Sequence, residues 1–242
     1  GIHGMQENVM MAEDKGDDGQ ETFSLSHLAG VNYNLSLSDF FKRPVRIFEY
    51  EVVEGISQGG NLQVINPFAI WSRDPAVRAK LKNYALFRGD LKVSISSTSD
   101  PFSRGQVLVS NQPFATENLA LQDYLSLVNN SLNNFGKVSY LYQSPEKVMI
   151  RAGVDADYIM TLHFVSPKTS VHLYNDTINS VIADTEDFEE MIELSHLYFV
   201  VFNELQGLGN SRITLQVTAW CDNYELGPIS GTDMVITPQS NL

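Results

Sequence analysis

Strict two-residue alternation of apolar and polar side chains limits this chain more than any other feature. Between residues 84 and 97, Leu91, Val93 and Ile95 alternate with Lys92, Ser94 and Ser96. Between 212 and 224, Ile213, Leu215, Val217, Ala219 and Cys221 alternate with Thr214, Gln216, Thr218 and Trp220. Successive side chains of an extended strand point to opposite faces, so this period predicts half-buried β-strands. The same period occurs at 46–53, where Phe48, Tyr50 and Val52 oppose Glu49 and Glu51, and at 158–164, where Tyr158, Met160, Leu162 and Phe164 oppose Ile159, Thr161 and His163. Shorter apolar stretches at 61–66, 106–110 and 197–202 predict further strands, the first broken by Pro67 and the second ended by Asn111-Gln112-Pro113. Seven or eight strands result.

Helical signals are few. Asp74-Pro75 matches an N-cap followed by proline at the first helical position, predicting a short helix to about Lys82. Leu121, Tyr124, Leu125 and Val128 have helical spacing within 117–128, predicting a second. A parallel α/β sheet needs a crossover helix after nearly every strand, so doubly wound folds are excluded and an antiparallel sandwich remains. Segments 53–84 and 113–158 are too long for hairpin loops but suit the long returns of Greek-key sandwiches. The predicted fold is therefore all-β: an eight-stranded antiparallel jelly-roll sandwich with two short helices in its loops. Residues 1–38 lack a sustained period and are acidic between Glu13 and Glu21, which predicts an extended N-terminal arm. The jelly roll occupies 39–229, and 230–242 form a C-terminal tail.

A chain of 242 residues is long enough to bury a core without covalent staples. Cys221 is the only cysteine, so no intrachain disulfide and no paired-cysteine zinc site can form. With 16 basic and 29 acidic residues, the formal net charge is −13. Phosphate binding needs clustered basic groups, so nucleic acid is not expected as the main partner. No run of about 18 apolar residues occurs, and insertion into a membrane is not expected.

Short motifs carry little chemistry. Gly16-Asp17-Asp18 copies a polymerase tripeptide, but it lies in a turn-rich acidic arm without a βαβ context. Arg88-Gly89-Asp90 spells an adhesion tripeptide at the start of a predicted strand, where a structural role is expected. Asp184, Glu186, Asp187, Glu189 and Glu190 supply enough oxygens for calcium, but they lack the ordered spacing of an EF-hand and read as a solvated loop or helix start. His3, His27, His163, His172 and His196 do not fall at metal-ligand spacing; His163 is a candidate for an interface. No nucleophile elbow is present, and Cys221 reads as a small buried hydrophobe. No enzyme activity and no cofactor are expected. Three Asn-x-Ser/Thr sequons, at Asn34, Asn129 and Asn175, are expected to stay bare.

Four stretches resemble capsid proteins of picornavirus-like viruses, a group that includes dicistroviruses, iflaviruses and RNA viruses of marine protists. Asp39-Phe40-Phe41-Lys42-Arg43-Pro44-Val45 is similar to the phrase before the family's first strand. Asn66-Pro67-Phe68, Asp74-Pro75-Ala76-Val77 and the run from Lys82 through Arg88-Gly89-Asp90-Leu91 resemble its helix-to-strand passage. Ser99-Asp100-Pro101-Phe102-Ser103-Arg104-Gly105-Gln106 resembles the following hairpin, whose glycine lets the chain turn before a buried strand. Thr218 through Trp220-Cys221-Asp222, ending Glu225-Leu226-Gly227-Pro228, is similar to its last strand. The resemblance implies a structural subunit of a pseudo-T=3 icosahedral shell, built in the host cytoplasm with two sister jelly-roll proteins around an RNA genome. The Asp-Asp-Phe cleavage motif of some subunits does not occur here. Expected partners are the sister capsid proteins and copies of the chain itself, with RNA at most a minor contact on the inner face and the host receptor left open. Met5, Met10 and Met11, where apolar residues interrupt the polar arm, are the expected subunit contacts together with Phe40, Phe41 and Arg43. The rival from another class is a carbohydrate-binding jelly-roll module, which needs an exposed aromatic platform from Trp71 or Trp220. A cupin-type enzyme is weaker still, because the histidine cluster it requires is missing.

Overall fold

The computed structural model describes residues 37–116, 131–173 and 188–228. In chain order the elements are α1 (Leu37–Phe41), β1 (Val45–Val53), β2 (Gln63–Ile65), α2 (Pro67–Arg73), α3 (Pro75–Leu81), β3 (Leu86–Ser99), β4 (Arg104–Gln112), α4 (Ser131–Tyr142), β5 (Lys147–Arg151), β6 (Ala156–Leu162), β7 (Val171–His172), α5 (Glu189–Ile192), β8 (His196–Gln206) and β9 (Arg212–Leu226). Two sheets form, one ordered β1-β9-β3-β6 with the two-residue β7 also on β3, the other ordered β2-β8-β4-β5. Among the described residues every pairing is antiparallel. Apart from the long connection from β4 to β5, which carries α4, and the step from β6 to β7, each connection crosses from one sheet to the other. That threading makes the sandwich a jelly roll of four strands facing four, as expected, with β7 as an addition.

The alternation read from the sequence becomes the core. Ile213, Leu215, Val217, Ala219 and Cys221 of β9 and Leu91, Val93 and Ile95 of β3 are buried side by side in register, with Val93 opposite Ala219 and Ile95 opposite Val217. Phe48 and Tyr50 of β1 meet Phe199 of β8 across the sandwich, ring centroids 5.3 Å apart in each case. Buried apolar side chains of this size contribute roughly 1.5–3 kcal/mol each relative to exposure. Such contacts outweigh any local strand preference.

The second sheet is buried on both faces. Phe199 and Val201 point inward, while Tyr198 and Val200 lie with Leu108 under Val138 and Leu141 of α4. The Ser110 hydroxyl donates to the Leu141 carbonyl at 2.7 Å, tying strand to helix. Helix α4 was not expected. Its sequence, SLNNFGKVSYLY, contains two asparagines, a glycine and a valine, all weak helix formers, so packing on the sheet and not propensity sustains it. The predicted helix at 117–128 lies outside the described residues. Five helices instead of two are present among the described residues. Pro67 ends β2 as expected but also opens α2, because its fixed φ suits a first helical turn. The Asp74 carboxylate accepts from the amides of Ala76 (3.0 Å) and Val77 (3.1 Å), the predicted cap of α3. Strands β5 and β7 were also unforeseen; both are short and neither alternates. Of the expected arm, only Leu37 and Ser38 are described, and they open α1. The expected tail lies outside the described residues.

Four turns meet at one end of the sandwich. Glu54, after β1, accepts from the amides of Gly207 (3.2 Å) and Ser211 (3.1 Å) in the β8–β9 turn. The Gly153 amide, in the β5–β6 turn, donates to the Ser99 hydroxyl at 2.8 Å beside the β3–β4 turn. Gly105 occupies a register shift of β4 against β8 with φ of +154°, and a Cβ there would lie 2.9 Å from the Leu205 Cα. The glycine noted in the hairpin motif is thus required by a close backbone approach. Gly105→Ala is expected to lower unfolding free energy by about 1–3 kcal/mol, read from urea denaturation of the full chain.

Candidate assembly site

The expected contact residues divide when placed on the fold. Met5, Met10 and Met11 lie outside the described residues. Arg43 is exposed on the loop between α1 and β1, and Phe40 is half-buried. Phe41 departs from expectation: it is fully buried, its ring 5.6 Å from Trp71 and 5.0 Å edge-on to Tyr224. As a core residue of the domain it has no surface to offer another subunit.

Trp71 is also fully buried, packed between Phe41 and Phe87, which lies 6.0 Å away. Its sequence setting, the apolar stretch Phe68-Ala69-Ile70-Trp71, follows from α2 closing the core. The expected sugar platform therefore loses one of its two rings. Trp220 remains half-buried on the outer face of β9, opposite Lys92 of β3. Trp71→Ala is expected to destabilise the fold by about 3–5 kcal/mol, seen as a lowered urea midpoint, as for any large cavity in a packed core.

The Arg88-Gly89-Asp90 tripeptide is held within β3. Gly89 is buried against Asn223 and Tyr224 of β9. The Asp90 carboxylate accepts from the Phe164 amide at 2.9 Å and lies 3.3 Å from His163 Nδ1. The Arg88 guanidinium donates to the Thr169 carbonyl at 3.1 Å and covers the Phe164 ring at 5.4 Å. These contacts serve the structural role expected for the tripeptide.

Of the acidic run, Asp184, Glu186 and Asp187 lie outside the described residues. Glu190 is engaged internally, accepting from the His172 backbone amide at 2.7 Å and pairing with Lys168, while His172 Nδ1 lies 3.1 and 3.2 Å from its two oxygens. Although burial opposes ionisation, these donors together hold the Glu190 carboxyl below the usual range. Among the described residues, no cluster of three or more His, Cys, Asp or Glu side chains is placed to bind a metal ion. Cys221 is sealed beneath β9, its thiol donating to the Asp90 carbonyl at 3.2 Å. Burial, then the Asp90 and Asp222 carboxylates, push that thiol up to about 12, far from nucleophilic chemistry at neutral pH.

Sequence reasoning missed the exposed apolar surface. Phe102 (69% exposed), Val154 and Leu208 (80% exposed) project from three turns at the end where Glu54 and Gly153 tie the loops together. Turn chemistry at Asp-Pro-Phe-Ser or Gly-Leu-Gly-Asn does not require a large apolar residue, and that mismatch was the available signal. Ile159 (64% exposed) stands on the outer face of β6. Phe135 and Tyr142 lie on the solvent side of α4. Exposed apolar groups gathered on turns and an edge mark a surface suited to other macromolecules.

His196 introduces a pH dependence. It is buried at the start of β8, with Nε2 3.4 Å from Asn66 Nδ2 and Nδ1 without a hydrogen-bond partner. Burial lowers its pKa below the ordinary 6.5, partly opposed by the Glu193 carboxylate. The unfolded chain then takes up a proton near pH 6.5 that the folded chain refuses until lower pH, so stability falls as pH drops through that window. The urea midpoint should fall between about pH 7 and 5.5, and His196→Gln should fall less steeply over the same range.

The chain matches no known protein-family profile and no curated protein. Solved structures do match. A marine algae virus of the order Picornavirales aligns over 88% of this chain and 81% of its own, with a TM-score of 0.64 and 18% identity. Black queen cell virus aligns over 89% and 83%, with a TM-score of 0.66 and 17% identity. The empty capsid of Triatoma virus aligns over 81% of this chain and 96% of its own, with a TM-score of 0.62 and 17% identity. The two sheets described above are thus the jelly-roll fold found in the particles of picornavirus-like viruses.

Proposed function

We propose that the chain is a structural subunit of a small non-enveloped icosahedral RNA virus capsid of pseudo-T=3 type, and that it assembles with two sister jelly-roll proteins to enclose the genome. The observation that carries this reading is the two-sheet sandwich, β1-β9-β3-β6 over β2-β8-β4-β5, which aligns over most of the chain with solved virus structures. Exposed apolar turn tips, and a sheet edge with no further strand on it among the described residues, give such a subunit surfaces to bury against neighbours, at roughly 25 cal/mol per Å² of apolar area. In this role the protein is not an enzyme. Its partners are the sister subunits and copies of itself, its place is the virion after assembly in the host cytoplasm, and contact with RNA is minor for a chain of net charge −13.

The carbohydrate-binding reading keeps only Trp220, half-buried on β9, once Trp71 is placed in the core. Co-expression of the full chain with its two sister subunits, followed by electron microscopy, tests the proposal. Closed shells containing this chain are the expected outcome. A chain that stays monomeric at high concentration, with and without its sisters, and is left out of any particles would overturn it.

A further inference from the structure

The four sheet edges are not equally protected. Edge β1 carries Arg46, Glu49 and Glu51 and a register shift between Arg46 and Phe48. Edge β2 is three residues long, and edge β5 has a basic residue at each end, Lys147 and Arg151. Charges, irregularity and brevity are the devices that keep an unpaired strand from joining another chain. Edge β6 has few of them: it pairs with β3 without a register shift, contains no proline or lysine, and carries Asp157 as its only charge. Ile159, 64% exposed, stands at its centre. Among the described residues, no strand pairs with its outer side.

The polar and apolar pattern of this edge reads the same in both directions. A two-fold axis at Ile159, the midpoint of Ala156–Leu162, would set Ile159 against Ile159, Tyr158 against Met160 and Ala156 against Leu162. Asp157 would then face Thr161. One step beyond the strand, exposed Asp155 would face His163, whose ring is 61% exposed and has Nδ1 3.3 Å from Asp90. On the exposed face Ile159 would meet Ile159 and Asp157 would meet Thr161, while Tyr158 and the already buried Met160 and Leu162 would continue the inner face from one sheet into the next. An isologous contact demands this correspondence.

We infer that β6 pairs antiparallel with the β6 of a second copy of this chain about a two-fold axis at Ile159, joining two β1-β9-β3-β6 sheets into one. The pairing goes beyond the capsid proposal and does not depend on it. Opposed residues of an antiparallel pair have Cα atoms about 4.5–5.5 Å apart, within disulfide reach. Buried Cys221 leaves an introduced thiol with little background.

The test is Ile159→Cys in the full chain under mild oxidation, with Thr161→Cys as register control and circular dichroism as the check on folding. I159C should form a covalent dimer. T161C, which the axis places opposite Asp157, should not, whereas adding Asp157→Cys to T161C should restore the crosslink. Ile159→Lys places like charges against each other at the axis and should weaken self-association by about tenfold or more in sedimentation. Folded I159C that crosslinks no better than T161C would overturn the pairing. Particles that form without this crosslink would leave the capsid proposal standing, and crosslinked dimers that never enter particles would do the reverse.

Discussion

The long antiparallel ladder between β3 and β9 is the contact on which the rest of the molecule depends. It runs from Phe87 opposite Leu226 to Ser99 opposite Ile213 and occupies the middle of its sheet, with β1 on one side and β6 on the other. One face of this ladder is continuously apolar, so a slip of a single residue would turn every core side chain to solvent. Its register also fixes the position of every turn at the end where Glu54 meets the β8–β9 connection. Only strands from the opposite sheet can then cover the apolar face, and the chain must keep crossing between layers to supply them.

The two outer faces differ for the same reason. The β2-β8-β4-β5 sheet is apolar on both sides because α4 lies on it, which is why β8 reads as a nearly unbroken apolar run from His196 to Val201. The outer side of the β3–β9 ladder instead presents Ser94, Ser96, Thr214, Gln216 and Thr218, a polar surface that needs no cover. If the chain is a shell subunit, contacts on that side rest on small polar groups and edges, while those at the turn tips are apolar.

Strands with clean alternation were legible from sequence, because period two has one physical cause. The cap of α3 was legible too, since Asp followed by Pro has few other uses. Helix α4 was not: its residues favour a helix only when a sheet lies beneath them, and no local pattern encodes that sheet. Strands β5 and β7 escaped because each is short and held by a neighbour's hydrogen bonds more than by its own sequence. Among the contact residues, Phe40 and Phe41 looked alike in sequence, yet a one-residue rotation of α1 sends Phe41 into the core against Trp71. The exposed tips at Phe102 and Leu208 could be seen only after fold topology had brought distant turns together.

The shared anchoring of these turns has a mechanical consequence. A Cβ on Gly153 would lie 2.6 Å from the Ser103 carbonyl oxygen of the neighbouring turn, so those two turns have little room to adjust separately. A partner meeting that end would find turns that brace one another, and would cost them less conformational entropy than it would cost free loops. Rigidity at the rim, more than apolar area, would then set how sharply the end discriminates between neighbours that differ by a fraction of an ångström.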